Sequence, residues 1–202
     1  IPRVYHDDLY TYKGDYYRAC HENVKKYYEA IRNHKYKYVI ISQVWENYAA
    51  FRVRSQIEDS PSPAESINIL TRATEQAIQD IIDAGAQPVL VKTMFPMPKN
   101  FLTCFYEHFK TRGEYEPQAC NPNPQINKSV WTELFFATLQ ARFPSLIIVD
   151  PKNVQCPDGL CRTEIEGIPL YRDVGHLNDY ATKALGEVYL EQFGNPLKTP
   201  GR

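Results

Sequence analysis

Short apolar runs alternate with longer amphipathic segments along this chain. Three runs, at residues 37–42, 87–92 and 146–150, are rich in β-branched residues and predict buried strands. The longer segments repeat apolar residues every three or four positions, as one face of a helix does. These predicted helices are 20–34, 64–84, 125–142 and 178–192. Strands that alternate with helices favour an α/β fold with a parallel sheet covered on both faces.

The same spacing predicts which side chains face the core, because residues three or four positions apart share one side of a helix. The residues predicted to face inward are Val24, Tyr28 and Ile31, then Ile67, Leu70, Ala73, Ala77 and Ile81, then Ile126, Val130, Leu134 and Leu139. Segments without such a period are predicted to be irregular or loop. They are 1–19, 43–48, a long loop from Phe95 that carries Cys104 and Cys120, and 151–169.

The length, net charge and apolar runs of the chain limit its domain organisation and the partners that it can have. A chain of 202 residues has the size of one domain, which we predict over 1–202. Its net charge is −1 with both signs mixed along the chain, which argues against a nucleic-acid partner. No apolar run approaches the roughly 20 residues of a membrane-spanning helix. The chain starts at Ile1 without a signal peptide, as expected for a piece of something longer.

The five cysteines indicate an oxidising compartment. Cys104 with Cys120, and Cys156 with Cys161, each enclose a loop that contains Pro or Gly, as small disulfides do. Zinc held by four cysteines is the alternative, but the usual Cys-x-x-Cys spacing is absent. Cys20 is left over: it is a free thiol, or its partner lies upstream of this chain.

The stretch from Tyr171 to Leu177 carries the candidate chemistry. Asp173 and His176 lie three residues apart on a loop that leads into the predicted helix 178–192. The carboxylate can accept a hydrogen bond from one ring nitrogen, which leaves the other nitrogen as a base. Such a pair needs a nucleophile, normally Ser, from elsewhere. The alternative is that Asp173 caps a helix and His176 is an ordinary histidine.

The predicted topology brings this pair to an edge where ligands bind. In open α/β sheets the ligand site lies beyond the carboxyl ends of the strands. The loops with Trp45, with Pro96 and after Asp150 are expected there, as are Asp173 and His176.

Several blocks of the sequence together resemble one family. They are Val44-Trp45-Glu46-Asn47-Tyr48, Lys92-Thr93-Met94-Phe95-Pro96 with Cys104 beyond it, Val149-Asp150-Pro151, the segment from Cys156 to Cys161, and the segment from Gly167 to Leu177 with its Tyr-Arg-Asp-x-x-His-Leu motif. Over about residues 20–192 the chain is similar to SGNH-type hydrolase/acyltransferase domains. More narrowly, it resembles the periplasmic domain fused to bacterial membrane acyltransferases of the acyltransferase-3 family.

The resemblance implies a flavodoxin-like three-layer α/β/α fold and a Ser-His-Asp triad in which Asp173 is the acid and His176 the base. It implies transfer of an acyl group, commonly acetyl, to sugar hydroxyls of cell-surface polysaccharide such as lipopolysaccharide O-antigen. The partners are then an acyl donor, the polysaccharide acceptor and a fused or associated membrane acyltransferase domain that tethers the protein to the inner membrane, facing the periplasm. Trp45 and Tyr48 are expected to contact substrate. No metal and no cofactor are implied.

One block of the family pattern, Gly-Asp-Ser-His, is absent from these 202 residues. In the family it precedes the region aligned to residue 20 and lies on the central first strand. We therefore expect an N-terminal segment outside this chain to supply both the serine and that strand. A central strand formed by residues 1–19 would contradict this. Ser42 ends a predicted strand, and a plain strand-end residue is its better interpretation.

Other function classes stay open. If water replaces the sugar, the same residues form a carbohydrate O-acetyl esterase. If the nucleophile is truly lost, the fold is a non-catalytic carbohydrate-binding module. A structural partner domain of a membrane protein is the third class.

Overall fold

A computed structural model describes the chain in seven segments, which are residues 5–6, 18–49, 53–54, 62–95, 101–114, 130–173 and 175–198. The chain divides into two compact units, the first formed by Ile1–Thr93 with Lys128–Val149 and the second by Met94–Asn127 with Asp150–Arg202. The expectation of a single domain over 1–202 stays a prediction.

The first unit contains most of the regular structure. Its elements are β1 (Tyr5–His6), α1 (Arg18–Asn33), β2 (Tyr38–Ser42), α2 (Trp45–Ala49), β3 (Val53–Arg54), α3 (Pro63–Asp83), β4 (Gln87–Val91), α5 (Val130–Arg142) and β5 (Ile147–Val149). The second unit contains α4 (Phe101–Thr111), α6 (Lys152–Gln155), a 3₁₀ turn (Pro157–Gly159), β6 (Glu164–Ile165), β7 (Ile168–Pro169) and α7 (Asp179–Phe193).

A parallel sheet forms the centre of the first unit. Its strand order is β2-β4-β5, with Ile41 opposite Leu90 and Leu90 opposite Ile148. The three strands correspond to the three apolar runs of the sequence. The predicted α/β class with a parallel sheet is therefore confirmed.

Helix α3 shows why the sequence folds as it does locally. The Ser62 hydroxyl accepts a hydrogen bond from the Glu65 N–H at 3.2 Å, and Pro63 occupies the first turn, where its missing N–H is harmless. The helix ends before Gly85, which adopts a positive φ of 80° that other residues rarely take. The apolar face is buried in a cluster with β4 and α5.

The structure corrects three of the sequence-based predictions in the first unit. The segment 43–48, predicted as a loop, contains most of α2, and the irregular segment 1–19 contains β1 and the start of α1. Of the residues of α5 predicted to face inward, Leu139 is buried as predicted, but Val130 and Leu134 are not. Val130 and Leu134 are 83% and 65% exposed, whereas the buried residues are Thr132, Phe135, Phe136 and Leu139. Ile126 lies outside the described residues.

The second unit is more regular than its sequence suggests. The long loop predicted from Phe95 contains α4, and the loop predicted over 151–169 contains α6, the 3₁₀ turn and the hairpin β6–β7. Glu166 and Gly167 both have positive φ, as a tight two-residue hairpin turn requires. The core of the unit contains Val154, Ile165, Leu170, Tyr171, Ala181 and Leu185.

Strand β1 does not join the parallel sheet. Tyr5 and His6 pair with Arg54 and Val53 in a separate antiparallel ladder. Among the described residues, therefore, 1–19 do not supply a central strand. Among all the residues that the structure describes, no helix has the length and apolar character needed to cross a bilayer.

Candidate active site

Asp173 and His176 are in direct contact. The ring Nδ1 of His176 lies 2.9 Å and 2.8 Å from the two carboxylate oxygens of Asp173. Oδ1 of Asp173 also accepts hydrogen bonds from the backbone N–H of Gly175 at 2.9 Å and of His176 at 2.8 Å. The bond from Gly175, followed by those from His176, lowers the pKa of the Asp173 carboxyl, so that the group is ionised at neutral pH.

This geometry determines the tautomer of the histidine. An ionised carboxylate has acceptors alone, so the Nδ1 that faces it must carry a proton. The lone pair of the neutral ring is then on Nε2, which can act as a base. The side chains of His176 and Asp173 are 68% and 43% exposed, and ion pairs this exposed add little to stability. The ion pair itself therefore contributes little to the stability of the fold.

The loop that carries the pair is closed at its base by backbone contacts. Tyr171 and Leu177 form an antiparallel bridge, and the Arg172 N–H donates to the His176 carbonyl at 2.9 Å. Asn178 then begins α7, since its side chain accepts from the Ala181 N–H at 2.7 Å. The N-cap of α7 is therefore Asn178, which removes the alternative that Asp173 caps this helix.

A buried polar network anchors the same loop. Gln155 accepts a hydrogen bond from the Phe95 N–H at 2.8 Å and donates to the Phe95 carbonyl at 2.9 Å and to the Tyr171 hydroxyl at 2.7 Å. The Tyr171 hydroxyl donates in turn to the Phe95 carbonyl. Sequence reasoning missed this network. Its one sequence signal was a Tyr in an apolar stretch two residues before Asp173.

Cys156 and Cys161 form a disulfide next to this network, so the predicted pairing is present in the structure. The Arg162 N–H, just past the disulfide, donates to the Gln155 carbonyl at 2.8 Å. The side chains of Cys20, Cys104 and Cys120 lie outside the described residues, so the second predicted pair stays a prediction. Among the side chains that are described, no group of His, Cys, Asp or Glu has the arrangement of a metal site.

Trp45 has a packing role in the first unit. Its side chain is fully buried, Nε1 donates to the Val91 carbonyl at 2.8 Å, and the ring contacts Phe135 and Phe136. Its backbone N–H donates to the Thr93 hydroxyl at 3.0 Å. The predicted substrate contacts of Trp45 and Tyr48 stay predictions; Tyr48 lies in α2, and its side chain is outside the described part.

Gln43, directly after β2, was not singled out from the sequence. Both atoms of its side-chain amide are buried, and neither has a hydrogen-bond partner in the described structure. Buried amides are nearly always paired, so this one is an exception among the described residues.

The seven serines of the chain all belong to the first unit by sequence position, and the unit that holds Asp173 and His176 has none. Two of the described serines have local structural roles. Ser62 caps α3, and the fully buried Ser66 hydroxyl donates to the Val53 carbonyl at 3.2 Å. Ser42 is the exposed last residue of β2, as a plain strand-end residue would be.

Comparison with known proteins adds the following. The family model described as "SGNH domain (fused to AT3 domains)" matches residues 2–191. No curated protein matches the chain at a significant level. The solved periplasmic domain of a lipopolysaccharide acetyltransferase from Salmonella ser. Paratyphi A is similar in fold, with a TM-score of 0.58, 12% sequence identity, and coverage of 96% of this chain and 69% of that one.

Proposed function

Since this chain belongs to the family of SGNH domains fused to AT3 domains, we propose that it takes part in O-acylation of cell-surface polysaccharide in the periplasm. The observation that carries the proposal is the contact of Asp173 with Nδ1 of His176, which prepares Nε2 as a base. The acetyltransferase activity in the name of the similar solved structure supports an acetyl group and a polysaccharide acceptor such as lipopolysaccharide O-antigen.

The proposed chemistry is acyl transfer in two steps. His176 removes the proton of a serine hydroxyl as the serine attacks the carbonyl carbon of the acyl donor, and the same histidine returns that proton to the leaving group. A sugar hydroxyl then loses its proton to His176 and attacks the carbonyl carbon of the acyl-enzyme. The bond between that carbon and the serine oxygen breaks, and His176 returns the proton to the serine. Asp173 stabilises the imidazolium in both steps. This sequence of steps uses protein side chains and invokes no cofactor.

We assign the nucleophile to a segment outside this chain. The family's Gly-Asp-Ser-His block is absent from the sequence, and two of the described serines have structural roles, Ser62 as a helix cap and Ser66 as a buried donor to Val53. Within the described residues, the ladder hydrogen bonds of β2 are to β4, on one side of the strand. A further parallel strand on the other side would pair the backbone groups along that edge of β2.

Two features support a periplasmic location with a membrane tether. The Cys156–Cys161 disulfide suits an oxidising compartment. The family model describes domains fused to AT3 domains, which we propose as the membrane partner.

A test of this function uses the intact protein with a fluorophosphonate, which labels activated serines. The expected result is labelling of one serine, loss of labelling in His176→Ala, and transfer of acetyl from a donor to polysaccharide. An unlabelled protein that still binds polysaccharide would replace this proposal with the carbohydrate-binding module.

Hydrolysis is the second candidate function. The 68% exposure of the His176 side chain favours it, because an open base admits water as an acceptor. Free acetate formed at the same rate with and without polysaccharide would identify an esterase, whereas acetate incorporated into polysaccharide identifies a transferase.

A further inference from the structure

We propose that Gln155 and Tyr171 are positioning residues, which fix the base of the loop that carries Asp173 and His176 and so set the direction of the imidazole. The role rests on the proposed function, because a base needs a fixed orientation toward its nucleophile. Neither residue touches the reacting atoms, and both act through the path of the chain.

Gln155 holds the backbone of Phe95 in place through two hydrogen bonds. The side chain of Gln155 is fully buried, yet every polar atom of its amide has a partner. It accepts from the N–H of Phe95 and donates to the carbonyl of the same residue, as a neighbouring strand would. A buried amide with all its bonds satisfied holds its partners in one arrangement, because each alternative leaves a polar group unpaired.

Tyr171 connects Gln155 and Phe95 to the loop that carries Asp173 and His176. Its hydroxyl accepts from Gln155 at 2.7 Å and donates to the Phe95 carbonyl. Burial raises the pKa of Tyr171 to about 12, so the hydroxyl keeps the proton that it donates. The ring is 2% exposed and belongs to the core of the second unit. One end of the loop is therefore fixed by both apolar packing and hydrogen bonds.

Backbone contacts connect Tyr171 to the residue that carries the imidazole, His176. The backbone of Tyr171 is bridged to Leu177, and Arg172 binds the His176 carbonyl. These contacts close the loop at its base, next to the Asp173–His176 pair. The pair itself is exposed and is held by contacts within the turn. Its internal geometry can persist while the whole turn tilts, and the anchor at Gln155 and Tyr171 resists that tilt.

The test compares three variants of the intact protein. Gln155→Leu keeps the approximate shape of the side chain and removes all three hydrogen bonds. Tyr171→Phe removes one hydroxyl and keeps the ring. Leu185→Ala is the matched control, because Leu185 is 5% exposed in the same core and makes no polar contact in this network. The readouts are kcat and KM for acetyl transfer, thermal midpoints, and amide hydrogen exchange of residues 171–177 against α7.

The proposal expects a loss of kcat on the order of 100-fold in Gln155→Leu with KM nearly unchanged, the size of effect that a small misplacement of a catalytic group produces. Tyr171→Phe should lower kcat about tenfold, because it removes the hydrogen bonds of the hydroxyl but keeps those between Gln155 and Phe95. Exchange of 171–177 should rise in both variants, whereas α7 keeps its protection. Leu185→Ala should lower the thermal midpoint and keep kcat within about threefold at temperatures well below that midpoint.

Two results would overturn the positioning role. One is unchanged kcat in Tyr171→Phe and Gln155→Leu. The other is a fall in kcat in Leu185→Ala as large as that in Gln155→Leu when the two variants are equally stable. Gln155 would then have a structural role alone. If Gln155→Leu fails to fold, Tyr171→Phe decides. If the wild type neither transfers nor hydrolyses acetyl, the proposed function fails, and selective exchange of 171–177 still tests the anchor.

Discussion

Asp173 accepts hydrogen bonds from both the backbone N–H and the ring Nδ1 of His176. One carboxylate therefore fixes the path of the chain and the tautomer of the ring together. The turn that results is local, since its members lie within three residues, and its geometry follows from a few residues of sequence.

Asp173→Asn should leave the fold intact and abolish most of the activity. The amide keeps an acceptor for the backbone N–H groups of Gly175 and His176, but its NH₂ group favours the wrong histidine tautomer. The expected fall in kcat is on the order of 10⁴-fold, as for a triad whose acid is neutralised. Steady-state kinetics of acetyl transfer checks this, with circular dichroism as the folding control. Activity within tenfold of the wild type would show that Asp173 does not orient the base.

The stability difference between the wild type and Asp173→Asn should depend on pH in a defined direction. The folded-state pKa of Asp173 is lowered, chiefly by the Gly175 N–H bond. The carboxylate therefore contributes stability above its unfolded pKa of about 4, and this contribution is lost as pH falls through the lower folded value. Urea unfolding should show the larger difference at pH 6 and a difference that shrinks as the pH is lowered below about 4. A difference that grows on acidification would contradict the assignment.

Removal of the disulfide should loosen the second unit near the site. The Cys156–Cys161 bridge closes a short loop with a sequence separation of 5. For so short a loop, loop-closure entropy predicts that the double Cys→Ser variant has a free energy of unfolding about 2 kcal/mol lower than the wild type. Hydrogen exchange should also rise at Arg162, whose N–H binds the Gln155 carbonyl. An unchanged unfolding free energy would show that the bridge does not constrain the chain.

Trp45→Ala should destabilise the protein by about 3–5 kcal/mol, because it removes a fully buried ring from the core of the first unit. Trp45→Phe keeps aromatic contacts with Phe135 and Phe136 but loses the bond to Val91, and should lose about 1–2 kcal/mol. Urea unfolding measures both values. If Trp45 has a packing role alone, the KM of Trp45→Phe should equal that of the wild type under conditions where both proteins are fully folded. A raised KM under those conditions would support the predicted substrate contact instead.

The sequence was most informative where structure depends on neighbours along the chain. The three strands, helix α3 and the Asp173–His176 contact all follow from short-range patterns. Helix α2 did not, because five residues show no period and its position is set by bonds from Trp45 to Val91 and Thr93, some 46 and 48 positions away. The prediction that Val130 and Leu134 face inward was wrong, because Phe135 and Phe136 pack on Trp45 and occupy the buried side of α5.

The anchor of the candidate site lay beyond sequence reasoning for a similar physical reason. Its hydrogen bonds join Phe95 to Gln155 and to Tyr171 across 60 and 76 positions. A glutamine beside a cysteine carries no sign of such a role, since glutamine is usually exposed. Long-range polar networks of this kind become visible when the fold has placed their members together.

The most direct test of the central claim is the turnover of acetyl transfer to polysaccharide by the intact protein with His176→Ala. The account predicts a fall in kcat of at least about 10³-fold at an unchanged thermal midpoint, because the general base of both acyl-transfer steps is removed. Turnover equal to that of the wild type would contradict it.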